Sequence, residues 1–145
     1  MSSLIPVKST QRYIGKLSYG SDLLDELTDI CKKKGITLGR IEGLGAVQKA
    51  RLAYYDQEKK EYQFFELDRR LEITKLVGNI SLKEGEPLVH AHVTLADNEG
   101  KAYGGHLAPG TIVFACEVII EAFEGEQLER GFDKETGLPL WDMSK

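Results

Sequence analysis

Nearly every segment between residues 36 and 123 has the pattern of a β-strand, and this constrains the fold more than any other feature. Residues 71–80 alternate between apolar and polar side chains, as in a half-buried strand. Two strand-type segments, 52–56 and 62–67, flank a polar turn, a pattern typical of a β-hairpin. The even positions of residues 111–123 are wholly apolar, which predicts a long strand with one face in the core. The chain is therefore expected to be mostly β-sheet.

One segment has the periodicity of an amphipathic helix. Ser21 is its expected N-cap, with Asp22 in the first turn, and Gly35 supplies a left-handed C-terminal cap after three lysines. A second short helix would fall either between Asp68 and Leu71 or after Pro109. The apolar stripe consists of Leu23, Leu24, Leu27, Ile30 and Cys31. These patterns predict a strand-rich domain with one or two helices.

Length and composition indicate the class of protein. The 145 residues are enough for one domain with a buried core, and a net charge of -4 gives no overall basic surface for nucleic acid. No apolar stretch approaches membrane-spanning length, and the N-terminus lacks the pattern of a secretory signal. Cys31 and Cys116 lie far apart in apolar segments, as reduced core cysteines do. We therefore expect a single cytoplasmic domain over residues 1–145, without membrane contact.

The three histidines of the chain fall within seventeen consecutive positions. His90 and His92 form an H-x-H pair in a β-branched segment, so both side chains point to one face of a strand, roughly 7 Å apart at their bases. His106 follows a turn-like segment and lies on the expected return strand of the hairpin. Three converging neutral imidazoles are typical ligands of a first-row metal ion, zinc foremost, with a fourth position left open. The alternative is that the three side chains are simply packed or half exposed.

Three residues are candidates to support this site. Glu117 interrupts an apolar strand face, and it is either a partner or general base of the metal site or a solvated or interfacial carboxylate. Gly104 and Gly105 directly precede His106, and glycines within a strand mark either a bulge or the close approach of a backbone or ligand.

Four segments, in this order and spacing, resemble the plants-and-prokaryotes-conserved (PPC) domain from about residue 12 to residue 124. They are Gly43-Leu44-Gly45-Ala46-Val47, Gly78-Asn79-Ile80-Ser81, Leu88-Val89-His90-Ala91-His92, and Gly104-Gly105-His106-Leu107 with Gly110. The resemblance implies an α+β fold, a single domain with a largely antiparallel mixed sheet flanked by one or two helices. Residues 125–145 would form a C-terminal extension. It also implies a homotrimer.

The resemblance connects the chain to transcription-related proteins. In plant relatives the domain follows an Arg-Gly-Arg-Pro minor-groove-binding arm and contacts transcription factors, and stand-alone prokaryotic members are labelled DNA-binding on that analogy. This chain has no such arm. The plant domains have a short interaction segment, and residues 69–74 of this chain match it at Arg70, Glu72 and Ile73. The plant domains generally lack the three histidines.

Three functions remain open at this point. The first is a trimeric metal-binding protein with His90, His92 and His106 as ligands. The second is association with DNA or a protein partner, for which scattered cations could form a local basic patch. That patch would comprise Arg40, Lys49, Arg51, Arg69 and Arg70. The third is a small metal-dependent enzyme or ligand-binding protein without direct DNA contact, although no nucleophile pattern identifies a reaction.

Overall fold

The computed structural model describes residues 2–144, which form one helix and nine strands in an order that begins and ends with strands. The elements are β1 (Val7–Lys16), α1 (Leu23–Lys34), β2 (Gly39–Asp56), β3 (Glu61–Leu67), β4 (Leu71–Lys83), β5 (Glu86–Ala96), β6 (Ala102–Leu107), β7 (Ile112–Gly125), β8 (Arg130–Phe132) and β9 (Pro139–Trp141). The prediction of a strand-rich α+β domain is confirmed. The second helix is not present among the described residues. Residues 68–70 are a short connection, and Gly110, with a φ of 106°, lies in a turn.

The main sheet has the strand order β1-β7-β2-β4-β5-β6, and all of these neighbours are antiparallel. β2 is eighteen residues long and changes partners along its length. Its first part pairs with β7 and β4, and its last part pairs with β3 and, at Leu52 and Ala53, with β6. Strands β2, β4, β5 and β6 therefore close into a small ring, which brings the histidine hairpin next to the end of β2.

A bulge lies in the glycine-rich part of β2, ahead of the change of partner. The register with β4 shifts between Gly43 and Gly45, and Gly45 has a φ of 149°. A Cβ atom there would lie 2.1 Å from the carbonyl oxygen of Ala115 on β7, so only glycine fits between the two strands. The glycines of this segment thus coincide with a bulge.

Helix α1 covers the core side of the sheet and packs on β5. Leu23, Leu27 and Cys31 are fully buried, as the apolar stripe predicted. The N-cap is one residue later than expected, because Asp22 has the extended backbone and accepts the Asp25 N–H at 3.1 Å. The Ser21 hydroxyl instead bonds the Glu26 carboxylate.

Strand β7 departs from the predicted alternation at its start. Its register with β2 shifts twice between Ala46 and Lys49, so Val113 is buried while Phe114 is 56% exposed. From Cys116 onwards the even positions face the core as expected. Residues 2–144 leave the odd face partly uncovered, since Ile119 is 47% exposed.

The C-terminal extension forms a small hairpin, β8–β9, that the sequence patterns did not indicate. It docks on β4 through a bond from the Leu82 N–H to the Leu128 carbonyl (2.9 Å). A bond from the Asp142 N–H to the Glu129 carbonyl (3.0 Å) ties its two ends together. The hairpin thereby covers part of the sheet beside the histidines.

Candidate metal centre

The three histidines lie on the outward faces of two paired strands. His90 and His92 are on β5, where the alternate residues Val89, Ala91 and Val93 are buried in the core. His92 stands directly opposite His106 of β6 in the antiparallel register. The alternation of β5 and the tight return to β6 therefore bring all three imidazoles to one place, as the sequence predicted.

The imidazoles are close enough to share one ion. One ligand nitrogen of each residue lies within 4.8 Å of the other two. Ring centroids are 5.1 Å apart for His90 and His92, 5.2 Å for His90 and His106, and 5.6 Å for His92 and His106. Ligands of a tetrahedral ion at about 2.1 Å are about 3.4 Å apart, so each pair must close by at most about 1.4 Å.

One nitrogen of the cluster lacks a partner. His106 Nδ1 is buried, and no described residue forms a hydrogen bond with it. An unpaired buried nitrogen costs free energy that a coordinated ion would recover. The donor set also suits a transition metal, because neutral imidazoles prefer such ions to calcium or magnesium. The residues present therefore fit a metal ion.

The surroundings lower the pKa values of His90 and His106. Burial, the positive charges of His106 and Arg130, and then that of His92 lower the pKa of His90 to about 4. Burial, His92 and Arg130 also lower the pKa of His106. At neutral pH both side chains are consequently in the form that binds a metal ion.

Aromatic and polar side chains form the walls of the centre. The Tyr62 ring of β3 packs against His106 with centroids 4.7 Å apart, reaching over the small and buried Ala53 of β2. On the other side is an open cavity of about 240 Å³. Its lining residues are Val77, Gly78, Asn79, His90 and His92. The centre is thus shielded at His106 and accessible at His90 and His92.

Residues 5–124 match the family described as "Plants and Prokaryotes Conserved (PCC) domain", the domain whose residues the sequence resembles. The chain belongs to this family. The recognition made from the glycine and histidine segments is confirmed.

Three solved structures resemble this PPC protein along almost its whole length. A metal-containing protein of Archaeoglobus fulgidus has a TM-score of 0.92 and 43% identity, over 97% of this chain and 99% of that one. A plant- and prokaryote-conserved (PPC) protein of Pyrococcus horikoshii has a TM-score of 0.90 and 37% identity, over 100% and 99%. A "putative dna binding protein" of Bacteroides thetaiotaomicron has a TM-score of 0.86 and 27% identity, over 99% and 100%.

The curated relatives are much longer proteins. The bifunctional protein GlmU of a Synechococcus strain is 30% identical over 132 residues, which is 90% of this chain but 20% of the relative. A second Synechococcus GlmU is 32% identical over 135 residues, again 20% of its length. The PPC chain therefore spans about a fifth of these relatives.

The two glycines before His106 lie at a close approach of strands and not at a bulge. A Cβ atom on Gly105 would lie 2.9 Å from the Ala53 carbonyl oxygen, and one on Gly104 would lie 3.0 Å from that of Val93. β6 can therefore fit between β2 and β5 only without side chains at these positions. The glycines position His106 and do not line the cavity.

Glu117, in contrast, is not part of the centre. It lies on β7, three strands from His92, which is about 14 Å at the usual strand spacing. Its carboxylate lines a separate surface groove with Ile14 and Leu44. Within one chain Glu117 is therefore too far from His92 to support the metal ligands, and its exposed position agrees with the alternative of a solvated or interfacial carboxylate.

The predicted interaction segment lies elsewhere in this PPC protein. Ile73 is a buried core residue, whereas Arg70 and Glu72 line a cavity of about 740 Å³ together with Lys49. No histidine lines that cavity.

The candidate basic patch is mostly neutralised by its neighbours. Arg40 pairs with Glu121 and Glu42, and Arg69 pairs with Asp97. Arg51 stacks on the ring of Phe64 and bonds the Pro109 carbonyl. Lys49 and Arg70 share their cavity with acidic side chains, Asp68 and Glu72 among them. These cations therefore do not form a continuous basic surface.

Two polar residues beside the centre were not identified from the sequence. Asn79 stands opposite His90 in the register and lines the cavity, and Arg130 reaches it from β8. Asn79 lies within one of the segments that resemble the family, which could have indicated it. No sequence pattern connects Arg130 to a site about forty residues earlier in the chain.

Among the described residues, no helix has the length and apolar character needed to cross a bilayer.

Proposed function

We propose that this protein binds one divalent transition metal ion, zinc foremost, through His90, His92 and His106. The observation that carries the proposal is the convergence of one nitrogen from each residue within 4.8 Å. The orphaned Nδ1 of His106 and the neutral state of His90 support it. The 43% identical Archaeoglobus fulgidus structure is that of a metal-containing protein, which supports a metal in the same fold.

The chemistry follows from the number of ligands. A zinc-type ion held by three imidazoles keeps a coordination position for water or an anionic ligand. The chain's own residues orient the site: Tyr62 fixes His106 by stacking, and the cavity beside His90 and His92 admits a small molecule. Among the described residues no nucleophilic side chain lines this cavity, so any reaction there would depend on a water or ligand held by the ion.

We further propose that the protein assembles as a homotrimer. The outer face of β1, β2 and β7 carries Ile14, Leu44 and Ile119, which are 84%, 56% and 47% exposed. Such a face on neighbouring strands is a typical association surface. The number three is what the family resemblance implies. Direct DNA contact is a weaker candidate, because Arg40 and Arg69 of the candidate basic patch are paired with acidic side chains and the net charge is -4.

Elemental analysis of untagged protein tests the metal site. We expect about one zinc-type ion per chain in the wild type, and loss of most of it in His92→Ala, because two imidazoles hold the ion far less tightly than three. Thr94→Ala is the matched control, since Thr94 is exposed two residues further along β5 and is not a ligand. A metal-free wild type after zinc loading, or equal metal in His92→Ala, would contradict the proposal.

A further inference from the structure

A half-buried arginine stands beside the histidine cluster without an acidic partner. Arg130 lies on β8, and none of the ion pairs among the described residues includes it. Its guanidinium is instead held by three neutral oxygens. Nε donates to Ser81 Oγ (3.1 Å), Nη1 to the Pro139 carbonyl (3.0 Å) and Nη2 to Asn79 Oδ1 (2.9 Å). The positive charge is therefore positioned but not neutralised.

The guanidinium of Arg130 is held in place by its neighbours. Ser81 is fully buried and also accepts the indole N–H of Trp141 at 2.9 Å, while the guanidinium lies 5.2 Å from the Trp141 ring centroid. A guanidinium has five N–H donors, of which three are used here, so two remain for a ligand. Holding an unpaired cation away from water costs free energy, and a bound anion would reduce this cost.

The charge is directed towards the metal site. Nη2 bonds the side chain of Asn79, which stands opposite His90 and lines the same cavity as His90 and His92. The positive charge of Arg130 is also among the causes, after burial, that lower the pKa of His90 and His106. Arg130 itself lines a neighbouring cavity of about 380 Å³, and the Asn79 side chain connects its guanidinium to the cavity beside His90 and His92.

We propose that the histidine centre takes a small oxyanion, a carboxylate or a phosphate, with one oxygen at the open metal position and another at the free N–H groups of Arg130. This inference rests on the metal site proposed above. A planar guanidinium matches the spacing of two oxygens of such a group. Arg130 lies beyond residue 124, where the family match ends, so the C-terminal hairpin supplies the anion selectivity of this chain.

The test uses full-length protein loaded with Co²⁺, whose visible absorption bands change when its ligands change. Acetate and inorganic phosphate are titrated in separate experiments, and the tighter of the two identifies the class. We expect saturable binding to the wild type and a dissociation constant at least about tenfold higher in Arg130→Met, because a charge-assisted bond is lost. Arg12→Met, which removes a surface guanidinium paired with Glu121, is expected to bind like the wild type.

The measurement separates this inference from the proposed metal site. Co²⁺ stoichiometry is expected to be unchanged in Arg130→Met, because arginine is not a ligand. If the wild type binds Co²⁺ but neither anion changes its spectrum, or if Arg130→Met binds them as tightly as the wild type, only the anion inference is overturned. If the wild type fails to bind Co²⁺, both fail.

A charge-preserving variant covers the case in which Arg130→Met does not fold. Arg130→Lys keeps the positive charge but loses the planar fork, so we expect weaker binding of both anions than in the wild type. Equal affinity of Arg130→Lys and the wild type for both anions would overturn the role of the guanidinium fork.

Discussion

At the residue scale, the environment of each imidazole matters as much as its position. Burial lowers the pKa of His90 to about 4, and the charges of His106, Arg130 and His92 add to this shift. Three histidines within a few ångströms cannot all be protonated without strong repulsion. His90 and His106 are therefore neutral at physiological pH, the form in which an imidazole can bind a metal ion.

This shift predicts a pH dependence of the metal-free protein. The pKa of His90 is about 4 in the folded chain and 6.5 when unperturbed, so between these values the unfolded chain binds more protons. The free energy of unfolding should fall as the pH is lowered from about 6.5 to about 4. Chemical denaturation of chelator-treated protein at several pH values measures it. In His90→Gln the fall should be shallower, and identical slopes for the two proteins would contradict the assignment.

Gly105 is the second residue on which the centre depends. In Gly105→Ala the new Cβ would lie 2.9 Å from the Ala53 carbonyl oxygen, and a backbone atom cannot move aside cheaply. We expect a loss of about 1–3 kcal/mol in the free energy of unfolding, the usual cost of overpacking. Zinc affinity should fall as well, because His106 is displaced.

Gly15→Ala on β1 is the matched control for this substitution, since a Cβ there meets nothing within 4 Å. Thermal unfolding and zinc titration of the two variants give the comparison. If Gly105→Ala were as stable as Gly15→Ala and kept wild-type zinc affinity, the close approach of β6 to β2 would be wrong.

At the element scale, helix α1 is tied to the sheet through its N-cap. Asp22 Oδ1 accepts the Asp25 N–H at 3.1 Å, and its Oδ2 accepts the Gly110 N–H at 2.6 Å. One side chain thus caps the helix and holds the turn that follows β6. The preceding serine, which the sequence favoured, bonds Glu26 within the helix.

Asp22→Ala is expected to lower the free energy of unfolding by about 1–2 kcal/mol, because the cap is lost together with the bond to Gly110. Asp25→Ala is the control, since Asp25 is exposed in the first turn and changes only the interaction with the helix dipole, a few tenths of a kcal/mol. Urea denaturation distinguishes the two. Equal losses would show that the side chain of Asp22 is not the cap.

At the scale of the whole molecule, the sheet has two differently covered faces. Helix α1 covers one, and the outer face of β1 and β7 is left open with Ile14 directly opposite Ile119 in the register. Strand β7, which carries Ile119, is three positions from β5, which carries His90 and His92, in the strand order. Assembly and metal binding should consequently be separable by mutation.

Ile119→Asp is expected to disrupt the proposed trimer, because it places a charge in the centre of the apolar face. Light scattering coupled to size exclusion should give a mass near three times 16.2 kDa for the wild type and a smaller mass for the variant. Phe132→Asp on β8 is the control, being 77% exposed and away from this face. A wild type with the mass of one chain would contradict the assembly, and an unchanged mass in Ile119→Asp would contradict this surface.

Much of the local structure could be predicted from the sequence, because it depends on neighbours along the chain. Alternation placed His90 and His92 on one face, and the return strand brought His106 beside them. The stripe of α1 and the strands of the main sheet follow from the same periodicities. These features were sufficient to predict that the three histidines converge and to recognise the family.

What only the tertiary structure decided is which distant segments meet. Strand order separated Glu117 from the histidines. The bulged register of β7 exposed Phe114, although the local alternation predicted that it would be buried. The C-terminal hairpin brought Arg130 to Asn79, a contact that spans 51 residues. Local periodicity determines the face to which a side chain points. The packing of the complete sheet determines what that side chain contacts, because strand order and register are set by how all the strands pack together in one core.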